Sequence, residues 1–152
     1  MKAVHKFLIS LGVFLLLSFI TLINSFEMVD VTEFAYRYDK VTGEMSSVVD
    51  ENNKPLTGLI WKRPFLETIH TIETLPEREC LGVSNVKVLN CVLLQFDPKG
   101  WRDFIMTHGR GDYSNGMGLN SLNKTLLPYA YSKDPSQYKF LKVTTETENS
   151  ND

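Results

Sequence analysis

Apolar positions run without a charge from Phe7 to Ile23, FLISLGVFLLLSFITLI. As a helix rising about 1.5 Å per residue, this run measures roughly 26 Å, close to the ~30 Å hydrocarbon core of a bilayer. It is longer than the ~7–15-residue apolar region of a cleaved signal peptide. The following LINSF is a poor cleavage site, and no cysteine follows that would accept a lipid. The pattern predicts an uncleaved single-pass anchor over residues 1–26 rather than a removed leader. Lys2 and Lys6 precede the run, and Glu27, Asp30 and Glu33 follow it. Cations stay on the cytoplasmic side, which places the N-terminus inside and the body outside, in the periplasm if the cell is Gram-negative. Arg37 and Lys40, just beyond the run, weaken that bias.

Beyond the anchor the period shortens. In VTEFAYRYD, Phe34, Tyr36 and Tyr38 alternate with Glu33, Ala35 and Arg37, the period of a half-buried strand. KVTGEMSSVVDENNKPLTG is polar and broken by Gly43, Asn52, Asn53, Pro55 and Gly58. It reads as a loop with a weak hairpin around Met45 to Val49. Trp61 and Phe65 flank Pro64, which cannot donate to a ladder and marks an edge or a bend. Thr and Ile dominate from Glu67 to Leu75, which suits a strand. Asn85–Phe96 is apolar on both faces and predicts a central strand, paired with Leu75–Cys80 as a hairpin. Asp97-Pro98 then reads as a helix cap followed by proline at the first helical position. Trp101, Phe104, Ile105 and His108 follow at helical spacing and stop at Gly109. Leu119, Leu122, Leu126 and Ala130 predict a second helix, bent or ended near Pro128. YKFLKV reads as a last strand. The expected class is therefore α+β: an anchor helix, then a body over residues 27–143 with a mixed or antiparallel sheet and two short helices. Residues 144–152, TTETENSND, are expected to be a disordered acidic tail.

Composition changes this picture little. The chain has 152 residues, 43% of them hydrophobic and 22% charged, with a net charge of -2. That suits one folded domain plus an anchor. Lys and Arg are scattered among acids, so no basic stripe suggests nucleic acid. Cys80 and Cys91 have two readings: a disulfide in an oxidising compartment, or two small half-buried strand residues. His70 and His108 lack metal-ligand partners at standard spacing, and neither cysteine lies near a recognisable oxyanion hole. Carboxylate pairs such as Asp103 with Asp112, or Glu73 with Glu77, carry little information in a chain with 18 acids. GRGDYSNGMG departs from G-x-G-x-x-G and follows a predicted helix, so it reads as a loop; its RGD, Arg110 to Asp112, is a three-residue match. Asn123 in NKT matters only if a glycosylating cell secretes the chain. No catalytic residue, metal site or cofactor is expected.

Five segments taken in order resemble the stomatin/prohibitin/flotillin (SPFH, Band 7) superfamily. They are the membrane segment, the EFAYRYD strand, GLIWKRPF, LETIHTIET, and NVKVLNCVLLQFDP. The resemblance spans about residues 27 to 108, and its structural positions are Gly58, Trp61, Pro64, Phe65, Asp97 and Pro98. The chain departs from the family at Thr57, where proline is usual, at Ile60, near the usual histidine, and at GVSN, in place of an Asp-Gly turn. The arm from Asp39 to Gly58 is longer than usual, and no long C-terminal helix pattern follows, so assembly into a large ring is not expected. The resemblance implies a non-enzymatic protein that scaffolds or modulates a membrane complex. Its partners would be the lipid bilayer and a membrane protein, such as a protease or another SPFH protein, in a homo- or hetero-oligomer. The alternatives are a small phage or plasmid accessory protein mimicking a host SPFH subunit, or an anchored envelope enzyme or binding module.

Overall fold

The computed structural model describes residues 2–81, 90–114 and 122–146. It is an α+β chain whose paired strands run antiparallel wherever their register is defined. In order its elements are α1 (Lys2–Ile23), β1 (Phe26–Val29), β2 (Glu33–Asp39), β3 (Met45–Ser47), β4 (Gly58–Trp61), β5 (Glu67–Glu73), β6 (Glu77–Leu81), β7 (Asn90–Phe96), α2 (Trp101–His108), α3 (Leu122–Ala130) and β8 (Leu141–Glu146). The strands form three sheets, ordered β1-β4, β3-β2-β5 and β6-β7-β8. The chain divides into two compact units. The first holds Met1–Val31 and Ala35–Ile69, and the second holds Thr32–Phe34 and His70–Asp152.

In the first unit, α1 is exposed along every residue from His5 onward. The span His5–Ile23 has a mean hydropathy of 2.3, long and apolar enough to cross a membrane. Its C-terminal carbonyls are met locally: Asn24 donates through its amide N–H and Nδ2 to Ile20, and the Ser25 hydroxyl donates to Thr21. That closes the orphan acceptors of the last turn before the strands begin. The β1–β4 ribbon follows. Val29 and Ile60 from it join Ala35, Val48 and Ile69 in a buried cluster. The polar segment between β2 and β4 contains two side-chain-capped turns. Asp39 Oδ1 accepts the N–H groups of Val41 and Thr42, and Asp50 Oδ1 accepts those of Asn52 and Lys54. Aspartates favour such turns by mimicking a backbone acceptor. The hairpin anticipated around Met45 to Val49 appears as β3 pairing back onto β2, with Tyr36 opposite Ser47.

The second unit is built on β7. Cys91, Val92, Leu94 and Phe96 are all buried, as a strand apolar on both faces requires. Asp97 caps the next turn by accepting the Lys99 N–H at 3.0 Å, and Pro98 opens a short 3-10 helix that runs into α2. The helical spacing of Trp101, Phe104 and Ile105 is realised as the buried face of α2. Phe104 is wholly buried, with ring centroids of Phe96, Tyr113 and Phe140 at 5.3, 4.8 and 5.6 Å. Such edge-on geometry suits aromatic quadrupoles. Helix α3 buries Leu122, Leu126 and Ala130, and it continues two residues past Pro128. The missing proline N–H costs one bond near the end of a short helix, and packing of the apolar stripe outweighs it. Leu119 lies outside the described residues.

Two strand ends differ from expectation. The last strand begins at Leu141 rather than Tyr138, because Pro135–Gln137 form a short 3-10 helix that ends against it. It also runs to Glu146, into the segment expected as a tail, because Thr144, Thr145 and Glu146 pair with Leu93, Val92 and Cys91. Residues 147–152 lie outside the described residues.

Cys80 on β6 stands directly opposite Cys91 on β7, and the two form a disulfide. The bridge joins positions 11 residues apart. Closing a loop of that order is worth about 2–3 kcal/mol through the entropy it removes from the unfolded chain. Reduction, or the Cys80→Ser, Cys91→Ser double variant, is expected to lower the unfolding free energy by that amount, and the denaturant midpoint with it, at unchanged secondary structure. Thermal and urea melts with and without reductant test this.

Candidate functional site

The residues singled out by the sequence fall into two groups. Gly58, Trp61, Pro64 and Phe65 lie in the first unit, on β4 and the turn after it. Asp97, Pro98, Cys80 and Cys91 lie in the second.

The first group frames the most distinctive surface. Register places Phe26 opposite Trp61 and Met28 opposite Leu59. Side chains alternate along a strand, so these four share one face of the ribbon, and Val29 and Ile60 turn to the other. The shared face is open: Phe26 is 39% exposed, Met28 70%, Leu59 67% and Trp61 54%. Gly58, which opens β4, has φ +90°, a backbone region that a side chain strongly disfavours. After β4 the chain reverses through Pro64, Phe65 and Leu66. The Leu66 N–H donates to the Pro64 carbonyl at 2.8 Å around Phe65, whose φ is +64°. This is the strained form of the three-residue turn. A non-glycine residue there costs about 1–3 kcal/mol, and the Phe65 ring remains largely exposed.

Beside the ribbon lies a charge cluster that the sequence reading missed. Glu67 is 6% exposed and accepts the Arg63 N–H at 2.9 Å and Arg63 Nε at 2.7 Å. Arg37 Nε lies 3.6 Å from the same carboxylate, and Arg37 Nη2 donates to the Trp61 carbonyl at 3.0 Å. Arg63 also pairs with Asp39, and Lys62 pairs with Glu27. Burial pushes the Glu67 pKa up, but the Arg63 amide, the Arg63 guanidinium and the Arg37 charge outweigh it and hold the group below its ordinary range. The Thr42 and Val41 amides, followed by Arg63, hold Asp39 down as well. Arg63 is correspondingly raised, chiefly by its hydrogen bonds to Glu67 and Asp39. The one local hint was the spacing of Arg63 and Glu67, which suggests a helical pair but here spans the turn.

In the second unit, His70 Nδ1 lies 3.1 Å from Asp112 Oδ1, which also accepts the Thr71 N–H at 3.1 Å. Tyr113 then bridges in parallel to Ile72 on β5. The RGD aspartate therefore serves to fasten its loop to a strand edge. His108 packs among Phe104, Tyr129 and Phe140, and burial pushes its pKa down. Among the described residues its Nε2 has no hydrogen-bond partner. Among the described residues, no group of three or more His, Cys, Asp or Glu is disposed to hold a metal ion.

These shifts give a pH dependence in two windows. A histidine with a lowered folded pKa makes stability fall as pH drops below its ordinary 6.5. Carboxylates with lowered folded pKa values contribute stability that is full above about 4.5 and is lost as pH falls through their folded values. His108→Phe is expected to remove the upper loss and keep the lower one. Glu67→Ala is expected to cost about 2–3 kcal/mol near neutral pH by leaving the arginines without their shared acceptor, and to flatten the lower window. Denaturant midpoints from pH 7.5 to 3.5, at about unit intervals, separate the two.

No model of a known protein family matches the chain, and no curated protein matches it.

Proposed function

We propose that the chain is a single-pass membrane protein with its N-terminus in the cytoplasm and its body outside. It scaffolds or modulates a membrane protein complex in the manner of SPFH proteins, without chemistry of its own. The observation that carries this reading is α1, whose apolar span from His5 to Ile23 has none of its length buried among the described residues. A helix apolar all round and left uncovered calls for a lipid solvent. The Cys80–Cys91 disulfide supports the outside placement, since such bonds persist in oxidising compartments. The SPFH-like reading is supported by element order: the apolar helix, β2 at EFAYRYD, β4 at GLIW, β5 at ETIHTIE, and β7 leading into the Asp97-Pro98 cap.

The test is extraction of the tagged full-length chain in mild detergent, followed by native size and identification of co-purifying proteins. A large assembly containing a membrane protease or an SPFH protein supports the reading and names the partner. A partner-free monomer overturns the scaffold role.

A further inference from the structure

We propose that the open face of the β1–β4 ribbon is a second membrane-binding element. It seats Phe26, Met28, Leu59 and Trp61 in the interfacial layer of the leaflet where α1 emerges. The proposal rests on the reading of α1 as a membrane span.

The joint between helix and ribbon carries the argument. The Ser25 N–H donates to the Leu22 carbonyl at 3.1 Å, and its hydroxyl donates to the Thr21 carbonyl at 2.6 Å. The carbonyl of Ser25 accepts the Lys62 N–H at 2.8 Å. One residue is thus bonded both to the last turn of the helix and to the residue that follows the far strand of the ribbon. The Phe26–Trp61 pair comes next in register, and Met28–Leu59 follows two residues on. A strand advances about 3.3 Å per residue, so the Phe26–Trp61 pair lies within roughly 10 Å of the helix end along the chain and the Met28–Leu59 pair within roughly 17 Å. The first pair is thus within reach of the ~5–10 Å layer in which apolar faces settle between headgroups and acyl chains, and the second reaches it if the ribbon lies along the membrane plane. If α1 ends at the edge of the hydrocarbon, Ser25 holds the start of the ribbon, with the Phe26–Trp61 pair, beside that layer.

The chemistry of the face fits lipid better than water. Its four side chains are apolar, and Trp61 has the amphipathic ring that interfaces favour. The charges of the ribbon segment do not interrupt it. Glu27 and Lys62 alternate onto the opposite side and pair with each other. The outer backbone edges of a two-stranded ribbon need water, and the hydrated interfacial layer supplies it where the hydrocarbon core does not.

The full-length chain carrying Trp101→Phe leaves Trp61 as its sole tryptophan. It is reconstituted into phosphatidylcholine vesicles with acyl chains brominated either near the headgroup or near the chain ends. A parallel sample is washed in carbonate. The expected result is about a twofold loss of Trp61 emission with shallow bromine and little with deep bromine, in a chain that resists the wash. Trp61→Phe, which leaves the buried Trp101, is expected to show neither loss. A wash-resistant chain whose Trp61 is unquenched overturns the ribbon proposal and leaves the span reading standing. Trp61 shielded from water yet unquenched by lipid places a protein on the face, and also overturns it. A chain released by carbonate overturns the span reading, and the ribbon proposal falls with it.

Discussion

Gly100→Ala is expected to destabilise the second unit by about 3 kcal/mol or more, although it adds only one methyl group. A Cβ at this position would stand 2.3 Å from the Lys139 carbonyl carbon, 2.3 Å from the Phe140 nitrogen and 2.4 Å from the Lys139 oxygen. All three are backbone atoms, so no rotamer change relieves the contact. Nor are the two segments free to separate. The Asp97 N–H donates to the Phe140 carbonyl at 2.9 Å, clamping the start of the 3-10 helix to the entry of β8. Moving that entry would drag Phe140 away from Phe104 and Leu141 out of register with Phe96. Gly111→Ala is the matched control. Among the described residues its Cβ would meet only Tyr113 Cε2 at 3.8 Å, an ordinary contact, and the expected change is within about 0.5 kcal/mol. Urea midpoints of the two variants decide it: equal midpoints would mean that the close approach at Gly100 is not held in solution.

Gly100 also shows where a sequence stops being readable. Its constraint comes from residues 139–140, remote in the chain, and no local pattern announces it. The elements that were legible carry their signals within themselves. The alternation of β2, the two-faced apolar run of β7, the Asp97-Pro98 cap and the Trp101–Phe104–Ile105 spacing each fit in one short window. The β1–β4 ribbon does not. FEMV is four residues long and directly follows the apolar run, and its partner lies far along the chain, so neither strand specifies the register that gathers Phe26, Met28, Leu59 and Trp61 on one face. The charge cluster around the buried Glu67 was hidden for a similar reason. Arg37, Asp39, Arg63 and Glu67 look like ordinary surface charges until the turn at Phe65 brings them together. Tertiary pairing, not propensity, decides which charges are buried.

Introducing arginines into the middle of α1 is expected to abolish membrane retention and leave the rest of the chain folded. Leu15→Arg with Leu16→Arg places two guanidinium groups near the centre of the span. Each costs about 2.5–3.5 kcal/mol on an insertion scale, about 5–7 together before any snorkelling. Both leucines are roughly 60% exposed and contribute nothing to either buried core, so the strands are expected to persist, while the disulfide is expected to be lost in a body that stays in the reducing cytoplasm. The variant should move from the carbonate-resistant pellet to the soluble or aggregated fraction. Val31→Arg, at a position 78% exposed but beyond the helix, should stay in the pellet. This separates two meanings of an exposed apolar helix, since a helix that merely awaited a protein partner would also be disturbed by arginine, but the parent chain would then wash off in carbonate. The distinction matters for function. A scaffold acts by holding its body at a fixed membrane position, so losing the span should remove activity even when the body is intact. An anchored enzyme would keep its turnover in the soluble fraction.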